Sequence, residues 1–215
     1  MDTSVSGVGV VDKSVRVLVA LEEGPATLAT LVERTGLSRA TAHRLAAAWE
    51  THGLVGRDAD GRYRLGARLV GLGRRAADGL PLADLALPVL RDLRDETGES
   101  AQLYVREGDV RVCVASLDSP QELRTIVAPG AVMPLTVGSA GHVLSEPDAG
   151  TAWRASVAER AAGVASVSAG VLDGGGAVVA AVSVSGPIER LGADPGQRYG
   201  PSVSAAAEAL GALVA

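Results

Sequence analysis

The sequence predicts an α+β chain, with helices in its first part and a mainly antiparallel sheet after them. Apolar residues recur at helical spacing up to about Gly98, and from Ser100 they alternate at a spacing of two. Short glycine-containing turns separate the alternating segments, which favours hairpins and therefore antiparallel pairing. Of the 215 residues, 47% are apolar and 21% are charged, so the chain can bury a core as one large domain or two small ones.

Two helices are predicted near the N-terminus, after a flexible Gly-, Ser- and Val-rich tail over residues 1–11. The first runs from Asp12 until Gly24 and Pro25 stop it. In the second, Thr27 is the expected N-cap and Gly36 the expected left-handed terminator.

A third helix is predicted to begin after Ser38 as its N-cap. One side of its helical wheel carries Ala42, Leu45, Ala46 and Trp49. The other side carries Ala40, Arg44 and Ala47, with His43 on the flank. Two helices joined by the turn Gly36–Ser38 have the spacing of a helix-turn-helix, whose second helix enters the major groove of DNA with its N-terminal residues at the base edges. The candidate DNA contacts here are Ser38, Arg39, Thr41, His43 and Arg44.

A hairpin follows the third helix and predicts a wing. Val55 and residues 63–65 have strand character, and the sequence DADG between them is a turn. Arg57 and Arg62 are the candidate phosphate or minor-groove contacts on this hairpin, with Arg64 beside them. An ordinary solvated helix face and ordinary strand-surface charge are the alternative interpretations of these cations. The predicted winged helix-turn-helix spans residues 1–66.

The next two segments are helical. Residues 67–80 are predicted to form a linker helix, which Gly79 and Pro81 end. A longer helix follows, with Pro88 as the site of a kink. Its predicted buried stripe is Leu82, Leu85, Val89 and Leu93.

The rest of the chain, residues 81–215, is predicted to form the sheet domain. Strands are expected in residues 102–106, 110–117, 123–130, 153–159, 164–173 and 177–186. A short helix is expected over 139–146 and a closing helix over 196–214. Hairpin turns are expected at Gly108 and at Gly174–Gly176.

The charge of the chain is unevenly distributed. Residues 1–75 hold 11 Lys/Arg and 8 Asp/Glu, a balance of +3, and the remainder has a balance of −8. This asymmetry predicts that only the first part meets a polyanion.

Several function classes find no support in the motifs. The sequence VGSAGH lacks the first glycine of a nucleophile elbow, and His142 is the last histidine. DGGGA lacks the lysine of a phosphate-binding loop. No metal-ligand spacing is present, and the single cysteine, Cys113, is expected to be a buried apolar residue. We therefore expect no catalysis, no cofactor and no metal. With no signal-peptide pattern and no apolar run of membrane-spanning length, we expect a cytoplasmic protein without membrane contact.

Three stretches of the sequence resemble the IclR family of bacterial transcriptional regulators. They are the winged-helix segment ending in GRYRLG, the segment that contains ETGE at the start of the sheet, and SVSGP near the end. The resemblance implies a C-terminal GAF-like effector and oligomerisation domain over residues 81–215. It further implies a homodimer or homotetramer that binds double-stranded DNA at a near-palindromic operator and responds to a small organic effector, often a carboxylate or an aromatic acid.

The family pattern also implies a set of effector-binding residues. They are Ser139, Ala140, Ser156, Ser166, Ser183 and Ser185. The hydroxyls and backbone amides of this set suit an anionic or carbonyl-bearing ligand. Ser183 and Ser185 lie on one face of a predicted strand, because side chains alternate along it. Ordinary packing of the sheet is the alternative to a role of these two serines in effector binding.

The chain departs from the family pattern in two places. Only EPDAGTA remains of a usually longer segment before Trp153, and His142 stands where the family often has lysine. A second hypothesis of another class is a small-molecule-binding GAF-like protein that uses its winged helix for protein contact. The modest positive balance of the N-terminal part is compatible with this alternative.

Overall fold

The computed structural model describes residues 6–79, 81–146 and 152–214, without the side chains of 77, 78 and 81. The chain divides into two compact units, residues 1–79 and 80–215. The helices are α1 (Gly9–Ala20), α2 (Leu28–Thr35), α3 (Arg39–Thr51), α4 (Arg68–Asp78), α5 (Pro81–Thr97), α6 (Ser139–Ser145), α7 (Ile188–Leu191) and α8 (Pro195–Val214). The strands are β1 (Val55–Arg57), β2 (Tyr63–Leu65), β3 (Ser100–Glu107), β4 (Val110–Leu117), β5 (Val132–Pro134), β6 (Arg154–Val157), β7 (Val164–Leu172) and β8 (Val178–Pro187).

The predicted fold class is confirmed, and the caps that define the helix-turn-helix are present. Thr27 accepts a hydrogen bond from Thr30 N, and Gly36 ends α2 with φ +66°. Ser38 accepts a hydrogen bond from Thr41 N at the start of α3. These side-chain and left-handed caps satisfy backbone groups that helix ends otherwise leave unpaired.

The winged unit has its own small core. Val17, Leu31, Ala42, Ala46 and Val55 are buried, and Tyr63 of the wing packs with them. The hairpin β1–β2 is antiparallel, and Tyr63 also forms a bridge to Ala26 beside α2. The wing is thereby anchored to the helices.

The first helix begins earlier than expected. Residues 9–11 already belong to α1, so the predicted tail over 1–11 is too long, and residues 1–5 lie outside the described part. Val10 and Val11 are exposed, so this first turn of α1 shows none of the burial pattern on which the sequence prediction relied.

The second unit is built on a six-stranded antiparallel sheet of order β5-β4-β3-β8-β7-β6. Its strands alternate between two faces. On one face, Leu103, Val167 and Val182 pack with Leu90 of α5 and Leu210 of α8. The other face carries Tyr104 and Cys113, which pack with the residues of α6.

One residue of the predicted α5 stripe and one predicted strand of this unit are wrong. Leu82, Val89 and Leu93 pack on the core as predicted. Leu85 is 40% exposed, and Ala86 and Leu90 are the further buried residues of the helix. Residues 123–130 are not a strand; the third strand of this meander is β5. In that segment the carbonyl of Thr125 accepts a hydrogen bond from the Ser100 hydroxyl at 2.6 Å.

Candidate functional site

Two of the polar side chains at the start of α3 form the helix cap. The Ser38 hydroxyl accepts from Thr41 N and donates to Thr41 Oγ1 at 2.9 Å, so both side chains serve the cap. Thr41 is half-buried. Of the residues predicted here, these two therefore hold the helix start in place.

The other three residues predicted on α3 form an exposed cationic face. Arg39, His43 and Arg44 are exposed, while Ala42 and Ala46 of the same helix are fully buried. None of the three makes an ion pair within the described residues. An exposed guanidinium without an ion-pair partner can bind a phosphate group or the edge of a guanine base.

Sequence reasoning missed a neighbour of this face on α1. Lys13 lines a shallow groove together with Val10, Thr41, Arg44 and Leu45. The spacing of α1 gave no reason to place Lys13 beside α3, because that proximity depends on how the two helices pack.

The wing arginines are engaged by side chains of the hairpin and of α3. Arg57 Nε lies 3.1 Å from Glu50 Oε1, and its guanidinium stacks 4.0 Å from the centroid of the Tyr63 ring. Arg62 pairs with Asp58 at 2.8 Å and with Asp60 at 2.9 Å. Both guanidiniums are thus already partly neutralised, unlike those of α3.

In the second unit, the structure brings the predicted serines together on one face of the sheet. The Ser139 hydroxyl lies 2.7 Å from the hydroxyls of both Ser166 and Ser168. Ser139 N donates to Ser156 Oγ at 3.1 Å, and Ser168 donates to Ser183 at 2.9 Å. The result is one hydrogen-bonded cluster that links the start of α6 to strands β6, β7 and β8.

A small cavity lies against this cluster. Its lining consists of Tyr104, Arg111, Gly138, Ser139, Ala140, Arg160, Ser166, Ser183 and Ser185. Five of the six predicted effector residues line it, and Ser156 stands behind them in the hydrogen-bond network. The cavity volume is about 10 Å³, which leaves room for roughly one water molecule.

Arg111 is the buried charged group among the residues that line this cavity; Arg160, which also lines it, is exposed. It is 2% exposed, and its Nη1 donates to the carbonyl of Val137 at 2.7 Å and to that of Pro134. Its Nε has no hydrogen-bond partner, and it forms no ion pair with any described residue. Burial lowers the pKa of its guanidinium, as desolvation does for any cation.

The wall and mouth of the cavity carry further groups that sequence reasoning missed. The Tyr104 ring lies 5.6 Å from the Arg111 guanidinium, and burial raises the pKa of its phenol, so the phenol is neutral at neutral pH. Next to Gly138 of the lining, Glu159 Oε2 accepts from Gly138 N at 2.9 Å and lies 2.7 Å from His142 Nε2. Partial burial opposes ionisation of Glu159, but these two hydrogen bonds outweigh it and lower its pKa.

Within the described residues, no group of His, Cys, Asp and Glu side chains is arranged to hold a metal ion. The described helices include none that is long and apolar enough to cross a membrane.

Both units match known protein families. The family model described as the bacterial transcriptional regulator IclR C-terminal domain matches residues 74–151 and 148–212. This chain belongs to the IclR family. Residues 4–81 of this IclR-family chain match the HVO_A0261 N-terminal domain. The two matched segments overlap at residues 148–151, within the sequence EPDAGTA before Trp153. Residues 147–151 lie outside the described part of the structure.

Individual relatives of this IclR-family chain carry regulator names. It is 31% identical over 198 residues to the glycerol operon regulatory protein of Streptomyces griseus, covering 76% of this chain and 78% of that protein. It is 34% identical over 113 residues to the transcriptional regulator KipR of Bacillus subtilis, where the match covers 53% of this chain but only 45% of KipR. The relatives are thus named as regulators of transcription, which are not enzymes.

The fold agrees with solved IclR structures. An IclR regulator from Alicyclobacillus acidocaldarius superimposes with a TM-score of 0.73 at 22% identity, covering 97% of this chain and 99% of that one. An IclR homologue from Microbacterium hydrocarbonoxydans, solved with 4-hydroxybenzoate, gives 0.71 at 20% identity and covers 95% and 99%.

Proposed function

We propose that this chain is a sequence-specific DNA-binding regulator whose operator affinity changes when a small organic acid binds in its second unit. Membership of the IclR family gives the general role. The observation that carries the finer proposal is Arg111, a buried cation with an unpartnered donor and no anion among the described residues, in a cavity lined by hydroxyls. Buried charges are ordinarily paired, so a ligand carboxylate is the partner that this site lacks. Because the present cavity of about 10 Å³ admits roughly one water molecule, the proposal requires the cavity to widen when the acid binds.

The DNA half of the proposal rests on the exposed face of α3. Arg39, His43 and Arg44 lie on one exposed surface without ion-pair partners among the described residues, and Lys13 adds a third cation to the two arginines. We assign base reading to Arg44 and phosphate contact to Arg39 and Lys13. Ser38 and Thr41 fix the helix start that such contacts require.

We assign the wing a supporting part in DNA binding. Arg57 and Arg62 already pair with carboxylates, Glu50 for the first and two aspartates for the second. These carboxylates offset part of the charge that a phosphate would meet, so the net gain in affinity is smaller than for a free arginine. The wing is expected to add non-specific affinity, which depends on salt.

A homodimer or homotetramer completes the proposed arrangement. Two copies of α3 related by a two-fold axis would read half-sites about one duplex turn apart, so the operator would be near-palindromic. A homologue bound to 4-hydroxybenzoate supports an acid as the effector class of this fold, without identifying the acid for this chain.

Selection of binding sites from random duplex DNA by the purified full chain tests the DNA half. We expect a near-palindromic motif, with an affinity that falls steeply as salt rises. Arg44→Ala should lower affinity for that motif by about 1–3 kcal/mol and relax the choice of one base pair. Recovery of no motif from protein shown to be folded would instead favour a winged helix that contacts another protein.

A further inference from the structure

One arginine of the wing connects three parts of the winged unit. Arg57 Nε donates to Glu50 Oε1 of α3 at 3.1 Å, and its Nη1 donates to the carbonyl of Gly61 in the turn at 2.9 Å. The guanidinium also lies 4.0 Å from the centroid of the Tyr63 ring on β2. A lysine in this place could not make these contacts together, because only a guanidinium has several donors in a fixed plane.

The register of the hairpin separates Arg57 from Arg64. Arg57 is the cross-strand neighbour of Tyr63, and such neighbours lie on the same face of a sheet. Tyr63 is 2% exposed and packs in the core of the winged unit, so Arg57 lies on the face that turns towards the helices. Arg64 is the neighbour of Gly56 and lies on the opposite face. The contacts of Arg57 are therefore made towards α3.

The tip of the wing, residues 58–62, is held together by its own hydrogen bonds. Asp58 N donates to the carbonyl of Arg62 at 2.9 Å, and Gly61 N donates to the carbonyl of Asp58 at 3.0 Å. The Asp58 carboxylate also accepts from Arg62 N at 2.8 Å. Because Arg57 binds both this closed turn and Glu50, its contact with Glu50 fixes the position of the tip relative to α3.

The Glu50–Arg57 ion pair is too exposed to contribute much to the stability of the fold. The side chains of Arg57 and Glu50 are 41% and 35% exposed, and ion pairs at such positions stabilise a protein little. The base of the wing is held separately, by the bridge between Tyr63 and Ala26. Loss of the pair should therefore leave the winged unit folded and release only the tip of the wing.

We propose that Arg57 is a positioning residue for DNA binding, and that Glu50 and Arg57 together hold the tip of the wing where it meets the duplex beside α3. A preorganised contact binds more tightly because less conformational freedom is lost on binding. Glu50 thus favours DNA binding although its charge repels phosphate. This inference rests on the proposed binding of DNA and adds how the position of the wing is set.

The alternative is that Arg57 itself binds a phosphate. Glu50 would then compete with the DNA for the guanidinium, and its removal would strengthen binding. The two explanations predict opposite signs for the loss of Glu50. They also differ for Arg57→Lys, because lysine binds phosphate as a point charge but does not replace the three contacts of the guanidinium.

Two substitutions of Glu50 separate its contact from its charge. Glu50→Ala and Glu50→Gln both remove the carboxylate, and both new residues favour a helix, but only glutamine keeps an oxygen that accepts from Arg57 Nε. The probes are a labelled duplex with the selected motif and a random-sequence duplex of equal length, and fluorescence anisotropy follows their binding to the full chain. We expect Glu50→Ala to bind both duplexes more weakly than the wild type, and about fivefold or more weakly than Glu50→Gln. Equal or tighter binding by both variants would overturn the positioning role.

Two substitutions of Arg57 provide the second test. Arg57→Lys keeps the charge and Arg57→Met removes it. If Arg57 positions the wing, both should lose affinity to a similar extent, within about threefold of each other, because neither makes the three contacts. A lysine variant with wild-type affinity, beside a methionine variant whose salt slope falls by about one, would assign Arg57 to a phosphate and overturn the inference.

Stability and DNA binding are measured on the same proteins, because a purely structural role predicts a different result. Denaturant unfolding establishes that each variant is folded under the conditions of the binding assay. Lower stability with unchanged affinity in all four variants would overturn the positioning role and leave the proposed DNA binding intact. Absence of binding to either duplex by the wild type, even at low salt, would reject the DNA-binding function and the positioning role with it.

Discussion

Glu99 and Arg190 form a bidentate ion pair at the point where the chain enters β3 and leaves β8. Arg190 Nε lies 2.6 Å from Glu99 Oε1, and Nη2 lies 2.7 Å from Oε2. The Glu99 side chain is 3% exposed, and a Cβ on the adjacent Gly186 would lie 2.3 Å from Oε2. Arg190 also donates to the carbonyl of Leu123, so one guanidinium ties three segments of the second unit together.

Loss of one member of this pair should destabilise the second unit. Arg190→Met leaves a buried carboxylate without its partner, and we expect a loss of about 2–3 kcal/mol, at the low end for a buried pair because Arg190 is partly exposed. Denaturant unfolding followed through Trp153 in a Trp49→Phe background measures it. The double variant with Glu99→Gln should lose less than the two single losses combined; strict additivity would mean that the pair is not coupled.

Trp153 packs into a notch that two glycines of α8 leave open. A Cβ on Gly196 would lie 2.1 Å from Trp153 Cζ3, and one on Gly200 would lie 2.4 Å from its Nε1. Gly200→Ala should therefore displace the indole, with a red shift of its fluorescence and a loss of stability, although alanine ordinarily favours a helix over glycine.

The matched control for this substitution lies in α4. Gly73→Ala meets nothing within 4 Å, so the same exchange should be neutral or stabilise by up to about 1 kcal/mol. An unchanged Trp153 spectrum in Gly200→Ala would contradict the packing described here.

Cys113 should be unreactive in the folded protein. Burial raises the pKa of its thiol from 9.0 to about 12, which lowers the thiolate fraction at pH 8 roughly a thousandfold. A thiol-specific disulfide reagent should label it only as the protein unfolds. Fast labelling under native conditions would place the thiol near solvent.

The same pKa predicts a loss of stability at high pH. Because the folded pKa lies above the unfolded one, the contribution is complete below about pH 9 and disappears as the pH rises towards 12. Cys113→Ala should unfold with a weaker dependence on pH in this window, as measured by denaturant titrations at several pH values. An equal dependence in both proteins would assign the effect to other groups.

The wing should bind DNA more tightly once Arg62 is released from Asp60. The Asp60 carboxylate is 73% exposed, and its ion pair is with Arg62, so Asp60→Asn removes one of the two carboxylates on this guanidinium at little structural cost and leaves the pair with Asp58 in place. We expect tighter binding on every DNA sequence and a salt slope steeper by up to about one. Arg62→Ala should have the opposite effect on both quantities, and no change in either variant would exclude the wing from phosphate contact.

Local signals in the sequence predicted much of the fold. The caps at Thr27, Gly36 and Ser38 act within a few residues of the chain, and so does the turn at Gly174–Gly176. The alternation of Ser183 and Ser185 likewise placed both on one face. These features depend on residues that are close together in the chain, so a sequence displays them directly.

Other features depend on contacts between distant segments. The part of Arg111 in the cavity was missed, although its alternation with Cys113 along β4 puts it on the buried polar face; that period-two signal could have found it. Arg160 reaches the cavity from the loop after β6, and Glu159 binds the start of α6, which no spacing reveals. By contrast, the pairing of Arg62 with Asp58 and Asp60 could have been predicted from the sequence, because both aspartates lie within four residues of Arg62.

Regulation of DNA binding through the cavity is decided by the affinity of the full chain for its selected operator with and without a bound acid. Fluorescence anisotropy of labelled operator DNA supplies it for wild type and for Arg111→Gln. We predict that the acid changes the operator Kd of the wild type by about 5- to 150-fold. Arg111→Gln should bind the operator without responding to the acid. An operator Kd that the acid leaves unchanged in the wild type, or an equal response in Arg111→Gln, would contradict regulation through this cavity.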